Sequence, residues 1–107
     1  RIEHRVSGAD ANPYLVLASV LAGALYGIEN KLQPPSAIEG DAYAEAEERN
    51  LPRLPTRWDD ATEALKESEV LKEYMGESFV RVFSAAKEQE QRKIQSRISD
   101  VEYEAYL

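Results

Sequence analysis

Apolar residues run almost unbroken from Pro13 to Ile28, and this stretch carries no charged side chain. A helix apolar on nearly every side is a helix buried on several sides. Asn12 supplies an N-cap oxygen, and Pro13 suits the first helical position because its missing N–H would be unpaired there. Polar residues return at Glu29, Asn30 and Lys31, and Pro34 and Pro35 close the segment. Residues 9–35 are therefore expected to form a turn and a buried helix. The uncharged stretch falls short of the roughly 20 residues a bilayer crossing takes, and Asp10 and Glu29 flank it. Gly23 and Gly27 give a GxxxG spacing, which in lipid signals helix pairing. In a water-soluble chain the same spacing lets another element approach closely.

Before this helix the pattern has period two. Arg1, Glu3 and Arg5 share one face of an extended segment, and Ile2, His4 and Val6 share the other. Ser7, Gly8, Ala9 and Asp10 read as a turn. Residues 1–8 are expected to be one strand and a turn, and a strand this short needs partner strands from elsewhere. The chain opens with Arg1 directly in this pattern, which points to preceding residues.

Residues 36–55 hold Glu39, Asp41, Glu45, Glu47, Glu48, Pro52 and Pro55 with few large apolar groups, and are expected to be an exposed loop with room for a short helix near 42–49. Residues 56–107 return to helical spacing. Thr56 and Asp59 resemble a capping box, followed by a stripe of Trp58, Ala61, Ala64 and Leu65. Ser68 begins a second helix with Val70, Leu71, Tyr74 and Met75, and Gly76 fits a left-handed C-cap. A long helix over 77–98 buries Phe79, Val80, Phe83, Ala85 and Ala86, and is charged nearly all round from Lys87 onward. Ser99 and Glu102 form another capping box before a last short helix reaching Tyr106 and Leu107. The fold class is mainly α, with one N-terminal strand remnant.

Composition excludes several functions. The 107 residues carry a net charge of −7 and a pI near 4.7, which disfavours nucleic acid and anionic membrane surfaces as partners. Cysteine is absent, so disulfide and thiol chemistry are excluded, and the composition fits the cytoplasm. His4 is the single histidine, which argues against a histidine-built zinc site.

The chemistry that stands out is Arg1, Glu3 and Arg5. Guanidinium groups grip phosphate or carboxylate oxygens in pairs, and a carboxylate between them suits a hard divalent cation. On spacing alone, a solvated strand face with cross-strand ion pairs is the plainer reading.

Arg1-Ile2-Glu3-His4-Arg5, followed by Ala9-Asp10-Ala11-Asn12-Pro13-Tyr14-Leu15, resembles the C-terminal signature of the glutamine synthetase superfamily. Ala22-Gly23, Gly27-Ile28, Glu29-Asn30-Lys31-Leu32, Phe79-Val80, Lys87-Glu88 and Ser99-Asp100-Val101-Glu102-Tyr103 extend the resemblance over nearly the whole chain. It implies the C-terminal part of a catalytic domain that uses ATP and a divalent metal (Mg2+ or Mn2+) to join glutamate to an amine through γ-glutamyl phosphate, in a homo-oligomer. It also implies residue roles. Arg1 would contact the ATP phosphates, Glu3 would be a metal ligand, and Arg5 would hold glutamate and the transferring phosphoryl group.

Arg5-Val6-Ser7-Gly8-Ala9-Asp10 differs from the Arg-Phe-Pro-Asp of classical bacterial glutamine synthetases and is similar to γ-glutamylpolyamine (glutamate–putrescine) ligases. His4, on the other strand face, has a structural reading. Tyr43 falls in a loop that carries a regulatory tyrosine in some bacterial relatives. Its neighbours depart from that pattern, and it is read as an ordinary loop tyrosine. The competing expectation is a stand-alone helical module, without catalytic activity, that self-associates through the apolar faces.

Overall fold

The uncharged stretch does fold as one helix, α1, over Pro13–Glu29. Asn12 is extended (φ −67°, ψ 114°) and its side-chain oxygen accepts from the backbone N–H groups of Tyr14 and Leu15 at 3.0 and 3.3 Å. The helix stops at Asn30, before the prolines. Leu32 N–H returns to Gly27 C=O and Lys31 N–H to Ile28 C=O, which together make a Schellman closure with Lys31 at φ 51°. The structure, a computed structural model, describes residues 2–106.

The elements that follow are α2 (Ala42–Glu48), α3 (Trp58–Glu67), α4 (Glu69–Met75), α5 (Glu77–Gln95) and α6 (Asp100–Tyr106). No β-strand occurs among the described residues, so the fold is mainly α. Residues 2–6 have no ladder partner here, as a lone segment of that length cannot make one. None of these helices is long and apolar enough to cross a membrane. The chain divides into two compact units, Arg1–Pro55 and Thr56–Leu107.

In the first unit α1 is largely uncovered within the described residues. Of α1 only Ala22 is buried, while Tyr14 is 80% and Ile28 72% exposed, with Leu17, Leu21 and Leu25 also exposed. Apolar side chains surround the helix on nearly every side. The acidic stretch holds α2, capped by Asp41, whose side chain accepts from Tyr43 N–H at 2.9 Å. It closes by a second Schellman pattern: Leu51 N–H to Ala46 C=O and Asn50 N–H to Glu47 C=O, with Asn50 at φ 48°. Tyr43 therefore sits on a helix and not in a loop.

In the second unit α3 and α4 both pack on α5. Val80, Ser84 and Gln91 of α5 lie on one stripe and are buried. The stripe expected on α3 is turned: Thr62 is buried and Leu65 half-buried, whereas Ala61 and Ala64 face solvent. Polar ties explain the rotation. Asp59, Thr62 and Lys66 share one face. Gln91 Nε2 donates to Asp59 Oδ1 at 2.8 Å, and Lys66 Nζ lies 3.0 Å from Glu88. Residue 59 thus meets 91 and residue 66 meets 88, so the two helices run in opposite senses. The Glu63 and Glu88 carboxylates hold the Lys66 ammonium well above the ordinary lysine range. The group is exposed, so this tie adds little stability.

Thr56 is not the cap of α3. Arg57 takes that place without a side-chain hydrogen bond, and Asp59 is drawn toward Gln91 and Arg57. Ser68 does cap α4, accepting from Leu71 N–H at 3.2 Å. Val70, Leu71, Tyr74 and Met75 are half-buried as expected. On α5, Ala85 and Ala86 are exposed and Phe79 and Phe83 half-buried, with the two rings stacked at 5.5 Å. Lys87 lies 5.4 Å from the centre of the Phe83 ring. The charged end of α5 is exposed from Arg92 onward and ends three residues earlier than the expected 98.

Gly76 closes α4 and opens α5 at φ 92°, ψ 134°. The positive φ agrees with the sequence, but ψ lies outside the left-handed helical well, in a region open almost only to glycine. Gly76→Ala is expected to cost about 1–3 kcal/mol in urea unfolding. The Ser84 hydroxyl is buried with no hydrogen-bond partner among the described residues. Ser84→Ala therefore removes a desolvation cost and favours the helix, and should raise the unfolding midpoint by the equivalent of about 1 kcal/mol.

The Ser99–Glu102 capping box forms as expected. Glu102 accepts from Ser99 N–H at 2.7 Å and from its hydroxyl at 2.9 Å, and Glu102 N–H donates back to Ser99 Oγ at 3.3 Å. The Ser99 N–H, and then its hydroxyl, hold the Glu102 carboxyl below its ordinary range. A carboxyl lowered by folding stabilises above its unfolded pKa and loses that contribution as pH falls through the folded one. Helix α6 should thus fray on acidification below the ordinary carboxylate range. Hydrogen exchange of residues 100–106 reads this directly, and Glu102→Gln should abolish the pH dependence.

Candidate functional site

The segment before α1 keeps the alternation of the sequence. Glu3 and Arg5 meet as an ion pair, with both Nε and a terminal nitrogen of Arg5 on the same Glu3 oxygen. Side chains two apart on an extended chain point the same way, which brings the pair together. The Arg5 side chain is 85% exposed and that of Glu3 47%, so both present their charge to solvent. Arg1 lies outside the described residues.

His4 falls on the other side. It lines a groove of about 450 Å3 with Ser7 and with Val16, Ser19, Val20 and Gly23 of α1. These α1 residues follow one helical stripe, so the segment lies along the first turns of the helix. His4 thus lies along α1 and is itself exposed. The α1 half of this groove was not singled out in the sequence. Its signal there is only the spacing 16, 19, 20, 23, hidden in a helix apolar all round.

A turn joins segment to helix. Ala11 N–H donates to Gly8 C=O at 3.1 Å, and Asn12 then opens α1. The turn is tight: a β-carbon on Gly8 would lie 2.7 Å from Asp10 Oδ1. Ser19 adds a bond within the helix, its hydroxyl donating to Leu15 C=O at 2.8 Å.

Among the described residues no three Asp, Glu or His side chains come together to hold a metal ion. Glu3 fits a divalent cation as a single hard oxygen ligand, with the remaining ligands from outside this segment. Arg5 offers a planar fork of donors for carboxylate or phosphoryl oxygens. The pair is equipped to bind oxyanions and one cation, and holds neither a nucleophile nor an acid–base couple of its own. Tyr43 is exposed on α2.

Comparison with known proteins identifies the family. A family profile described as the glutamine synthetase catalytic domain matches residues 1–106. The whole chain is 40% identical to a γ-glutamylputrescine synthetase of Escherichia coli K12, covering 22% of that protein. It is 38% identical to a type-1 glutamine synthetase of Dictyostelium discoideum, covering 21%. It is also 38% identical to a glutamate–isopropylamine ligase of a Pseudomonas species, covering 23%. The chain spans about a fifth of the length of these curated relatives. No solved structure matches. With the profile spanning residues 1–106, this chain belongs to the glutamine synthetase catalytic-domain family.

Proposed function

We propose that the full-length protein bearing this chain is an ATP-dependent ligase that joins the γ-carboxyl of glutamate to an amine, ammonia or a polyamine, through γ-glutamyl phosphate. One observation carries the reading: Glu3 and Arg5 stand side by side on the segment leading into α1, in a chain of this family. Arg1 would contact the ATP phosphates. Glu3 would give one oxygen to Mg2+ or Mn2+, which when bound neutralises charge between the phosphates and the glutamate side chain. Arg5 would hold glutamate and the phosphoryl group in transfer, where placed cations supply most of the catalysis. An exposed ion pair is worth no more than about 1 kcal/mol, so Glu3 and Arg5 can exchange each other for these ligands at small cost.

The polyamine branch is favoured by Val6-Ser7-Gly8-Ala9-Asp10 and agrees with the name of the γ-glutamylputrescine synthetase relative. The working form is a cytoplasmic homo-oligomer, and the chain by itself is inactive, because Glu3 and Arg5 alone complete no metal site and no amine pocket. A second reading is a non-catalytic module that self-associates. The exposed Leu17, Leu21, Leu25 and Ile28 favour it, since large uncovered apolar surface drives association.

The test is ATP- and glutamate-dependent phosphate release by the full-length protein, with ammonia and putrescine supplied in turn. Release with putrescine and little with ammonia is expected. Glu3→Gln and Arg5→Lys should each lower kcat by about 10²–10³-fold, the usual loss for one electrostatic stabiliser. Absence of release with either amine, from folded protein with Mg2+ or Mn2+ present, overturns the ligase reading.

A further inference from the structure

The side chains that carry the proposed chemistry sit on a segment with no sheet partner of its own among the described residues. Three features of the chain nevertheless set its direction. The 8–11 turn reverses the chain, the Asn12 side chain ties down the first free N–H groups of α1, and His4 and Ser7 lie along Val16, Ser19, Val20 and Gly23. Of these, the cap joins segment and helix. Asn12 is the last extended residue before α1, and its oxygen fixes both its own ψ and the first turn through Tyr14 and Leu15. Pro13 fixes the φ that follows. Together these two residues restrict the backbone where the segment meets α1, seven residues from Arg5.

We infer that Asn12 is a positioning residue for the proposed ligase reaction, acting through the helix cap to hold Glu3 and Arg5 on the face turned away from α1. This rests on the ligase reading above. Without the cap oxygen the first turn of α1 frays and the Gly8–Asn12 connection swings. A displacement of about 1 Å at a charged group placed for catalysis costs up to 10²-fold in rate. The same bond elsewhere in the chain has no such reach. Ser68 caps α4 with one side-chain bond to Leu71 N–H, in the other unit and on no element that carries Glu3 or Arg5.

The pair Asn12→Ala and Ser68→Ala, made in the full-length protein, separates positioning from stability. Both remove a cap and should lower the unfolding temperature by similar amounts. Asn12→Ala is expected to lower kcat by about 10-fold or more well below that temperature, with oligomeric state unchanged. Ser68→Ala should keep wild-type kcat and KM. Asn12→Asp and Asn12→Ser, which retain an acceptor oxygen at the cap, should restore most of kcat. Equal kinetics for the two alanine variants, or failure of Asn12→Asp and Asn12→Ser to recover rate, overturns the inference. A wild-type protein without turnover on any amine counts instead against the ligase reading, and Asn12 then has no reaction to serve.

Discussion

A helix without one charge from Pro13 to Ile28 is only at rest when nearly all of its circumference is covered, and that requirement governs the first unit. Burying a leucine or isoleucine side chain stabilises by about 1.5–3 kcal/mol. Leu17, Leu21, Leu25 and Ile28 all hold that contribution in reserve, since all are exposed here. The residues around them are arranged so that the helix forms regardless. Both ends are closed by local bonds, the Asn12 cap at the start and the Lys31–Leu32 closure at the end. Local closure defines where α1 begins and ends before anything packs on it, and with it the point where the segment carrying Glu3 and Arg5 meets the helix.

The second unit solves the opposite problem. Its helices are amphipathic, and α5 serves as the common surface for α3 and α4. The buried positions there are largely polar: Thr62, Ser84 and Gln91 beside Val80. Polar groups in such a place specify alignment more than they stabilise, because each must find a partner. The Gln91–Asp59 bond aligns one end of α3 with α5, and Lys66–Glu88 the other. The Ser84 hydroxyl finds none among the described residues, so it aligns nothing and costs stability.

What could be seen in the sequence follows from this division. Caps made by one side chain and its own backbone were legible at Asn12, Ser68 and the Ser99–Glu102 pair, because such bonds need no knowledge of the fold. Thr56 failed by the same logic, since Asp59, its would-be partner, answers to Gln91 thirty-two residues away. The stripe on α3 was misjudged because periodicity favoured alanines, while the ties to α5 run through Asp59 and Lys66. The closures at Lys31 and Asn50 were missed because neither position holds glycine. At the candidate site, period-two spacing puts Glu3 and Arg5 on one face, where the two side chains meet, while His4 lines the groove along α1. The groove along α1 was hidden, because a helix apolar on all sides does not say which side another segment will choose.

Gly76 ends one helix and begins the next, and no linker residue stands between them. Each residue added to or taken from a helix rotates everything beyond it by about 100°. With a spacer, such a change is absorbed in the loop. Here a single insertion or deletion between Gly76 and Val80 would turn Val80 and Ser84 relative to α4. Length change in this part of the chain is expected to be tolerated best at the Ser96–Ser99 corner, beyond the end of α5. The acidic stretch over 36–55, punctuated by prolines, is the other place where this chain can grow or shrink without turning a helix.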